Sequence, residues 1–317
     1  MKTFAIAIHG GCGVMAKLGL SEEEWAGARA DLAAALRAGW RVLREGGAAL
    51  DAVEAAVVTM EESAHFNAGH GAALNENGVH ELDASIMDGR TMAAGAVTLA
   101  RAIRNPVRAA RKVMEADECV ILGGADADAF ARAQGLEIVD QSFFTTPRRV
   151  AALESLKRHK ARGTFAAATE SEKHGTVGAV ALDAHGNLAA ATSTGGYNNK
   201  PAGRIGDSPI PGAGTYARNG VCAVSGTGKG EIFIRHAIAH QVAARMSLLG
   251  ESVEDAARAV IMEEIAHHGV GAGLVAIDAQ GAVAAPYNTD GMFRGWADAQ
   301  GRGAVATHAE LFDVAMT

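Results

Sequence analysis

The sequence predicts an α/β protein in which two antiparallel sheets pack face to face with helices outside, and three observations carry that expectation. First, residues 81–100 (ELDASIMDGRTMAAGAVTLA), 177–194 (VGAVALDAHGNLAAATST) and 271–289 (GAGLVAIDAQGAVAAPYNT) share one design. Each is an apolar run, a short turn with an acidic residue and glycine, and a second apolar run, which reads as a hairpin. Second, the flanking strands are apolar almost throughout, so both faces must be covered. In antiparallel hairpins that calls for a second sheet on one side and helices on the other. Third, the intervening segments carry helix punctuation and helical spacing.

In chain order, FAIAIH (residues 4–9) reads as a first buried strand and GGCG as its turn. Ser21 then caps a helix, Glu24 completes a capping box, and Gly46-Gly47 stops the helix near Arg44. A second helix over residues 50–61 places Val53, Ala56, Val57 and Met60 on one face. Further helices are predicted over 105–115, 125–133, 147–158, 230–249 and 253–267. The stretch KRHKARGTFAAATESEK (157–173) lacks a stable period and collects charge, so residues 157–175 read as an interior linker.

With 317 residues and 49% hydrophobic content the chain can bury a substantial core. A net charge of −7 with intermixed signs gives no footprint for nucleic acid and no membrane patch, which leaves a small-molecule substrate or another subunit as partner. Cys12, Cys119 and Cys222 form no CxxC pattern, so neither a zinc module nor a disulfide framework is expected and a reducing, cytoplasmic setting is. The opening MKTFAIAIHGGCG superficially looks like a signal peptide, but its apolar run is too short and ends at His9 without a cleavage site.

The most informative step is SEKHGTVGAV (171–180), where a charged connector stops at Gly175-Thr176 and a buried strand begins. A threonine entering a strand is ordinarily structural. Here Gly175 leaves the preceding peptide open to attack. Two more threonine-bearing turns follow, at 192–196 and 225–231. If the Gly175–Thr176 bond is cut, the new α-amine has a reference pKa of about 7.7–8.0 and can act as base for its own hydroxyl. Nucleophile and base would then reside on one residue.

HGTVGAVALD, STGG, NNKPAGRIGDSPIPGAGTYA and SGTGKGEIFIR together resemble the plant-type asparaginase and isoaspartyl aminopeptidase family of N-terminal-nucleophile hydrolases. IHGGCG, FNAGHGAALNENG, HELDASIMDG and PYNTDGMFRG extend the resemblance to nearly the whole chain, most weakly over residues 125–173. It implies a four-layer αββα sandwich spanning residues 1–317 as one domain. Self-cleavage would yield an α subunit (1–175) and a β subunit (176–317), assembled as (αβ)₂. It further implies Thr176 as nucleophile, Thr194 as its hydrogen-bonding support, and Thr227 with Gly228 as oxyanion hole. Arg204 would grip the substrate α-carboxylate, while Asp207 and the Gly230 carbonyl receive the α-ammonium. A structural sodium ion would be held by the carbonyls of Met60, Glu61, Ser63, Phe66, Ala68 and His70, and catalysis needs no cofactor. The implied substrates are β-aspartyl (isoaspartyl) dipeptides and L-asparagine. Two departures stand out, Cys12 for the usual alanine and Tyr197 where a smaller or aliphatic residue is common.

Other signals fail on context. GGCGVMA lacks the immediate helix of a dinucleotide fingerprint, and SGTGKGE has Ala223 and Gly230 where a phosphate loop needs glycine and a hydroxyl. His236 with His240, and His267-His268, have no third metal ligand. A glycosylasparaginase-like amidohydrolase is an alternative, although that branch normally has aspartate before the nucleophile where Gly175 stands. An uncleaved binding protein for aspartyl metabolites is another.

Overall fold

The computed structural model describes residues 3–13, 21–162 and 175–317. Among them the strands form two sheets. The larger has nine strands in the order β13-β12-β11-β1-β5-β6-β2-β3-β4, the smaller four in the order β10-β9-β8-β7. Their bounds are β1 (Ala5–Gly13), β2 (Leu82–Asp88), β3 (Ala94–Ala100), β4 (Ile121–Gly123), β5 (Val177–Leu182), β6 (Leu188–Thr194), β7 (Thr215–Arg218), β8 (Cys222–Gly228), β9 (Ala272–Asp278), β10 (Val283–Ala284), β11 (Gly291–Asp298), β12 (Gly303–Ala306) and β13 (Leu311–Asp313). All pairings are antiparallel except β3 with β4.

Helices α1 (Glu22–Arg44), α2 (Ala49–Glu61), α3 (Pro106–Ala116) and α4 (Gly124–Ala133) cover the outer face of the large sheet. The small sheet is covered by α7 (Ile238–Leu249) and α8 (Val253–Arg258), and α5 (Pro147–Ala161) and α6 (Gly230–His236) complete the set. The result is the αββα sandwich, and the alternation of side chains along each strand explains it. On β1, Ile6 and Ile8 join the core under the helices, whereas Ala5 and Ala7 join the core between the sheets. On β5, Val177, Ala179 and Ala181 face the helices while Val180 and Leu182 face the opposing sheet. Small alanines on the inner face let the two sheets approach, and both faces are buried.

The capping box of α1 forms, with the Glu24 amide on Ser21 Oγ at 3.2 Å and the Ser21 amide on Glu24 Oε2 at 2.8 Å. Four expectations need correction. The GGCG segment is not a turn: β1 continues through Gly13, paired with β11 across a bulge between His9 and Gly11. The predicted helix over 230–249 breaks at Ala237, which takes a left-handed conformation (φ 49°). The break lets the first amides of α7, Ala239 and His240, donate to the carbonyls of Ala213 and Gly212 at 3.0 and 2.9 Å. The helix predicted over 253–267 passes into a π turn over Ala259–Ile265 and then a short 3₁₀ turn. The linker read from residue 157 begins later, because α5 continues through Ala161 with Leu153 and Leu156 buried; its residues 163–174 lie outside the described residues.

Buried polar side chains stitch the sheets together. His9 Nε2 meets Ser225 Oγ at 2.9 Å, Ser225 meets Thr192 at 2.6 Å, Thr192 meets Thr215 at 2.5 Å, and Thr215 meets Ser85 at 2.8 Å. Ser85 Oγ lies 2.6 Å and Thr215 Oγ1 3.2 Å from the Ser208 carbonyl oxygen. Burial pushes His9 down to about 3, so the ring stays neutral across the physiological range. A network in which each hydroxyl finds a partner fixes relative position as hydrophobic packing alone does not. Among the described residues no helix is long and apolar enough to cross a membrane.

Candidate active site

Side-chain parity brings the predicted threonines into one place. Thr176 precedes β5 on the same side as Val180 and Leu182, toward the small sheet. Thr194 ends β6 on the side of Ala190 and Thr192. On β8, Ser225 reaches across to His9, and Thr227 two residues later shares its face. The ends of β5, β6 and β8 therefore meet in the gap between the sheets.

A small polar cleft opens there, lined by Gly175, Thr176, Thr194, Gly196, Tyr197, Arg204, Gly206, Asp207, Ser208 and Gly228. The Thr176 hydroxyl lies 3.1 Å from Thr194 Oγ1 and 2.8 Å from the Gly175 carbonyl oxygen. That carbonyl also accepts from Thr194 Oγ1 at 3.1 Å and from Asn67 Nδ2 at 2.8 Å. Asn67 is itself held, accepting from the Ala73 amide at 2.6 Å and donating to the Gly196 carbonyl at 2.6 Å. The Gly196 amide in turn donates to Thr194 Oγ1 at 2.9 Å. The bulge of β1 at Gly11 presses against this spot: a Cβ there would stand 3.0 Å from Gly175 Cα and 3.1 Å from the Thr176 nitrogen.

Thr227 is buried, and its Oγ1 makes no hydrogen bond among the described residues. A buried hydroxyl without a partner is costly unless something polar is meant to arrive. Arg204 Nε donates to Glu231 Oε1 at 3.0 Å, and its other guanidinium nitrogens make no hydrogen bond to a described residue. Asp207 is buried with Oδ2 similarly without a donor, and burial pushes its carboxyl up to about 7 against the opposing pull of Arg204. Gly230 borders both, since a Cβ there would stand 2.7 Å from Arg204 Nη2 and from Asp207 Oδ1. A guanidinium and a buried carboxyl thus lie side by side on the cleft wall, beside the nucleophile candidate.

The segment after α2 folds back on itself. The His70 amide donates to the Glu61 carbonyl at 2.7 Å, and the Met60 carbonyl accepts from Ser63 at 3.2 Å. A Cβ at Gly69 would fall 2.3 Å from the Glu61 oxygen, and one at Gly71 2.8 Å from the Phe66 oxygen. The Glu61 and Met60 carbonyls, two of the six expected to hold sodium, each accept a backbone amide from within the loop. Among the described residues no three His, Cys, Asp or Glu side chains gather as a metal site. The rings of His236 and His268 do meet edge-on at 4.7 Å, without a third ligand.

Sequence reasoning missed Asn67, Glu231 and Gly11 as parts of the site. Asn67 lies within FNAGHG and Glu231 within GTGKGE, but nothing local says that the first reaches residue 175 or that the second holds Arg204. Asn67→Ala is expected to slow appearance of the fragment that begins at Thr176 roughly 10²- to 10³-fold, the usual cost of one oxyanion donor, in a gel time course of freshly purified protein.

The family described as asparaginase matches residues 2–307. An isoaspartyl peptidase of Salmonella typhimurium is 46% identical over 302 residues, covering 93% of this chain and 96% of its own. An isoaspartyl peptidase of Escherichia coli is 47% identical over 294 residues, with 92% of each chain covered. A probable isoaspartyl peptidase/L-asparaginase 2 of Arabidopsis thaliana is 40% identical over 322 residues, covering 95% of this chain and 98% of its own. The sandwich, the threonines gathered at its strand ends and this similarity along nearly the whole length agree: the chain belongs to the asparaginase family of N-terminal-nucleophile hydrolases.

Proposed function

We propose that the chain cuts itself between Gly175 and Thr176 and that the product, as a two-chain enzyme, releases L-aspartate from β-aspartyl dipeptides and L-asparagine. The observation that carries this reading is the Gly175 carbonyl, which accepts from Asn67 and Thr194 while the Thr176 hydroxyl lies beside it. These donors suit the oxyanion that forms when Thr176 Oγ1 attacks the Gly175 carbon. Collapse expels the Thr176 nitrogen, which takes up the hydroxyl proton, and leaves an ester. Water then hydrolyses the ester to a Gly175 carboxylate and a free Thr176.

The mature site repeats the chemistry on substrate. The Thr176 amine takes the proton of its own hydroxyl, with Thr194 Oγ1 holding the oxygen in place. The oxygen attacks the side-chain carbonyl of the aspartyl group, and the Thr227 hydroxyl and Gly228 amide receive the oxyanion. The protonated amine gives its proton to the departing nitrogen, leaving an aspartyl ester that water hydrolyses to aspartate. Arg204 takes the α-carboxylate through its two uncommitted nitrogens, a planar fork that lysine does not offer. Asp207, with the Gly230 carbonyl, takes the α-ammonium.

The carbonyls of Met60, Glu61, Ser63, Phe66, Ala68 and His70 would hold sodium, which when bound supplies charge that braces the loop presenting Asn67. Two cleaved pairs would assemble as (αβ)₂, in a cytoplasmic setting.

The test is release of aspartate by the purified protein from a β-aspartyl dipeptide, from L-asparagine and from the matching α-aspartyl dipeptide. The first two are expected to react and the third to stay intact; cleavage of the α-linked peptide, or of none, contradicts the reading. The pH dependence has a definite sign. Asp207 attracts the substrate ammonium only when ionised, which in the free site requires pH above about 7. The Thr176 amine must also lose its proton, at about 7.7–8.0 by reference. On the acid side kcat/KM is therefore expected to fall with two protons. In kcat the bound ammonium keeps Asp207 ionised, so one proton remains, and initial rates from pH 5 to 9 separate the two slopes.

A further inference from the structure

We propose that Tyr197 is a positioning residue for the α-carboxylate half of the substrate, acting through Arg204; the proposal rests on the substrate reading above. The Arg204 guanidinium carbon sits over the Tyr197 ring, 4.8 Å from its centroid. Both residues line the cleft. The guanidinium is then held in two independent directions, by its face on the ring and by its edge through Nε to Glu231 at 3.0 Å.

The ion pair alone is a weak constraint, because the Glu231 side chain is 44% exposed and such pairs are screened. An arginine held only at Nε still rotates about that contact, and a bidentate grip on a planar anion needs the plane fixed as well. The ring supplies the plane.

The loop fixes the ring in its turn. Next to it, Asn198 Oδ1 accepts from the Leu74 amide at 3.0 Å and the Asn199 amide donates to the Leu74 carbonyl at 2.8 Å. The Tyr197 carbonyl accepts from the Lys200 amide at 3.2 Å, closing the turn. Glycines at 206 and 230 leave room for the guanidinium edges, since a Cβ on either would be 2.7 Å from a terminal nitrogen. The backbone that carries the ring is therefore anchored, and the guanidinium of Arg204 stacks on the ring. Substrates with a free α-carboxylate benefit from that stacking; those whose α-carboxylate is blocked do not.

The experiment compares mature wild type, Tyr197→Leu and Tyr197→Phe on a β-aspartyl dipeptide and on the same dipeptide with its aspartyl α-carboxylate converted to carboxamide. Loss of a partly desolvated cation–π contact is expected to raise the Tyr197→Leu KM for the free acid about tenfold. Its kcat should change by less than about twofold, because the contact serves ground and transition states alike. On the carboxamide, Tyr197→Leu should match wild type in kcat/KM. Tyr197→Phe, which keeps the face, should recover most of the affinity for the free acid. Equal penalties on both substrates, a loss confined to kcat, or a Tyr197→Phe as impaired as Tyr197→Leu would each overturn the proposal. Should Tyr197→Leu not mature, Tyr197→Met takes its place with the same expectations. A wild type that releases neither aspartate from the free acid nor the α-amide of aspartate from the carboxamide overturns the substrate reading itself, and this proposal with it.

Discussion

Thr176→Ala is expected to leave a single uncut chain and to lower aspartate release by roughly 10⁴- to 10⁶-fold, the cost of deleting a nucleophile. No other side chain replaces it. On the proposed reading the Thr176 hydroxyl, 2.8 Å from the Gly175 carbonyl oxygen, is the attacking group in both reactions, and Thr194 Oγ1, 3.1 Å away, supports it. Thr176→Ser keeps the oxygen and loses one methyl, so it is expected to mature and turn over more slowly. The two variants together separate chemistry from folding. If Thr176→Ala retained turnover, the nucleophile would lie elsewhere and the site would need to be redrawn; aspartate release by each variant is the measurement.

Arg204→Ala is expected to lower kcat/KM for β-aspartyl dipeptide by roughly 10²- to 10³-fold, because it removes a charge-assisted bidentate contact and leaves the α-carboxylate facing the carboxyl of Asp207. Self-cleavage should proceed at close to its normal rate. The donors on the Gly175 carbonyl are Asn67 and Thr194, and Arg204 bonds to Glu231 instead. This division is the sharper part of the expectation, since a general structural defect would impair both steps. Arg204→Lys keeps the charge without the fork and should fall between. Intact mass after purification reports the first step, and initial rates over a range of dipeptide report the second.

Much of the fold was legible because it depends on local patterns. The Ser21 and Glu24 capping box, the paired strands at 82–100 and 177–194, and the two-sided burial of β5 all follow from residue type and period over short windows. The break at Ala237 was not legible, because alanine carries no stop signal; it arises from amides that dock on carbonyls of residues 212 and 213. The same holds for the helical end of α5, which sequence polarity disguised as linker.

The site divides in the same way. Thr176, Thr194, Arg204, Asp207 and Gly228 were singled out by motif, and they line one cleft. Asn67 reaches a carbonyl 108 residues away, Gly11 meets the nucleophile through β1, and Glu231 orders Arg204 from a different element. Such contacts are set by tertiary approach, which no window of neighbouring residues records. The His9–Ser225–Thr192–Thr215 network is also of this kind. In sequence each member is only a polar residue in an apolar strand.

The measurement that tests the central claim most directly is the intact mass of purified protein after incubation at neutral pH, with terminal sequencing of what forms. The account predicts two fragments from the 32.5 kDa chain, the smaller beginning at Thr176. A single full-length species that persists, or a cut at any other bond, would contradict it.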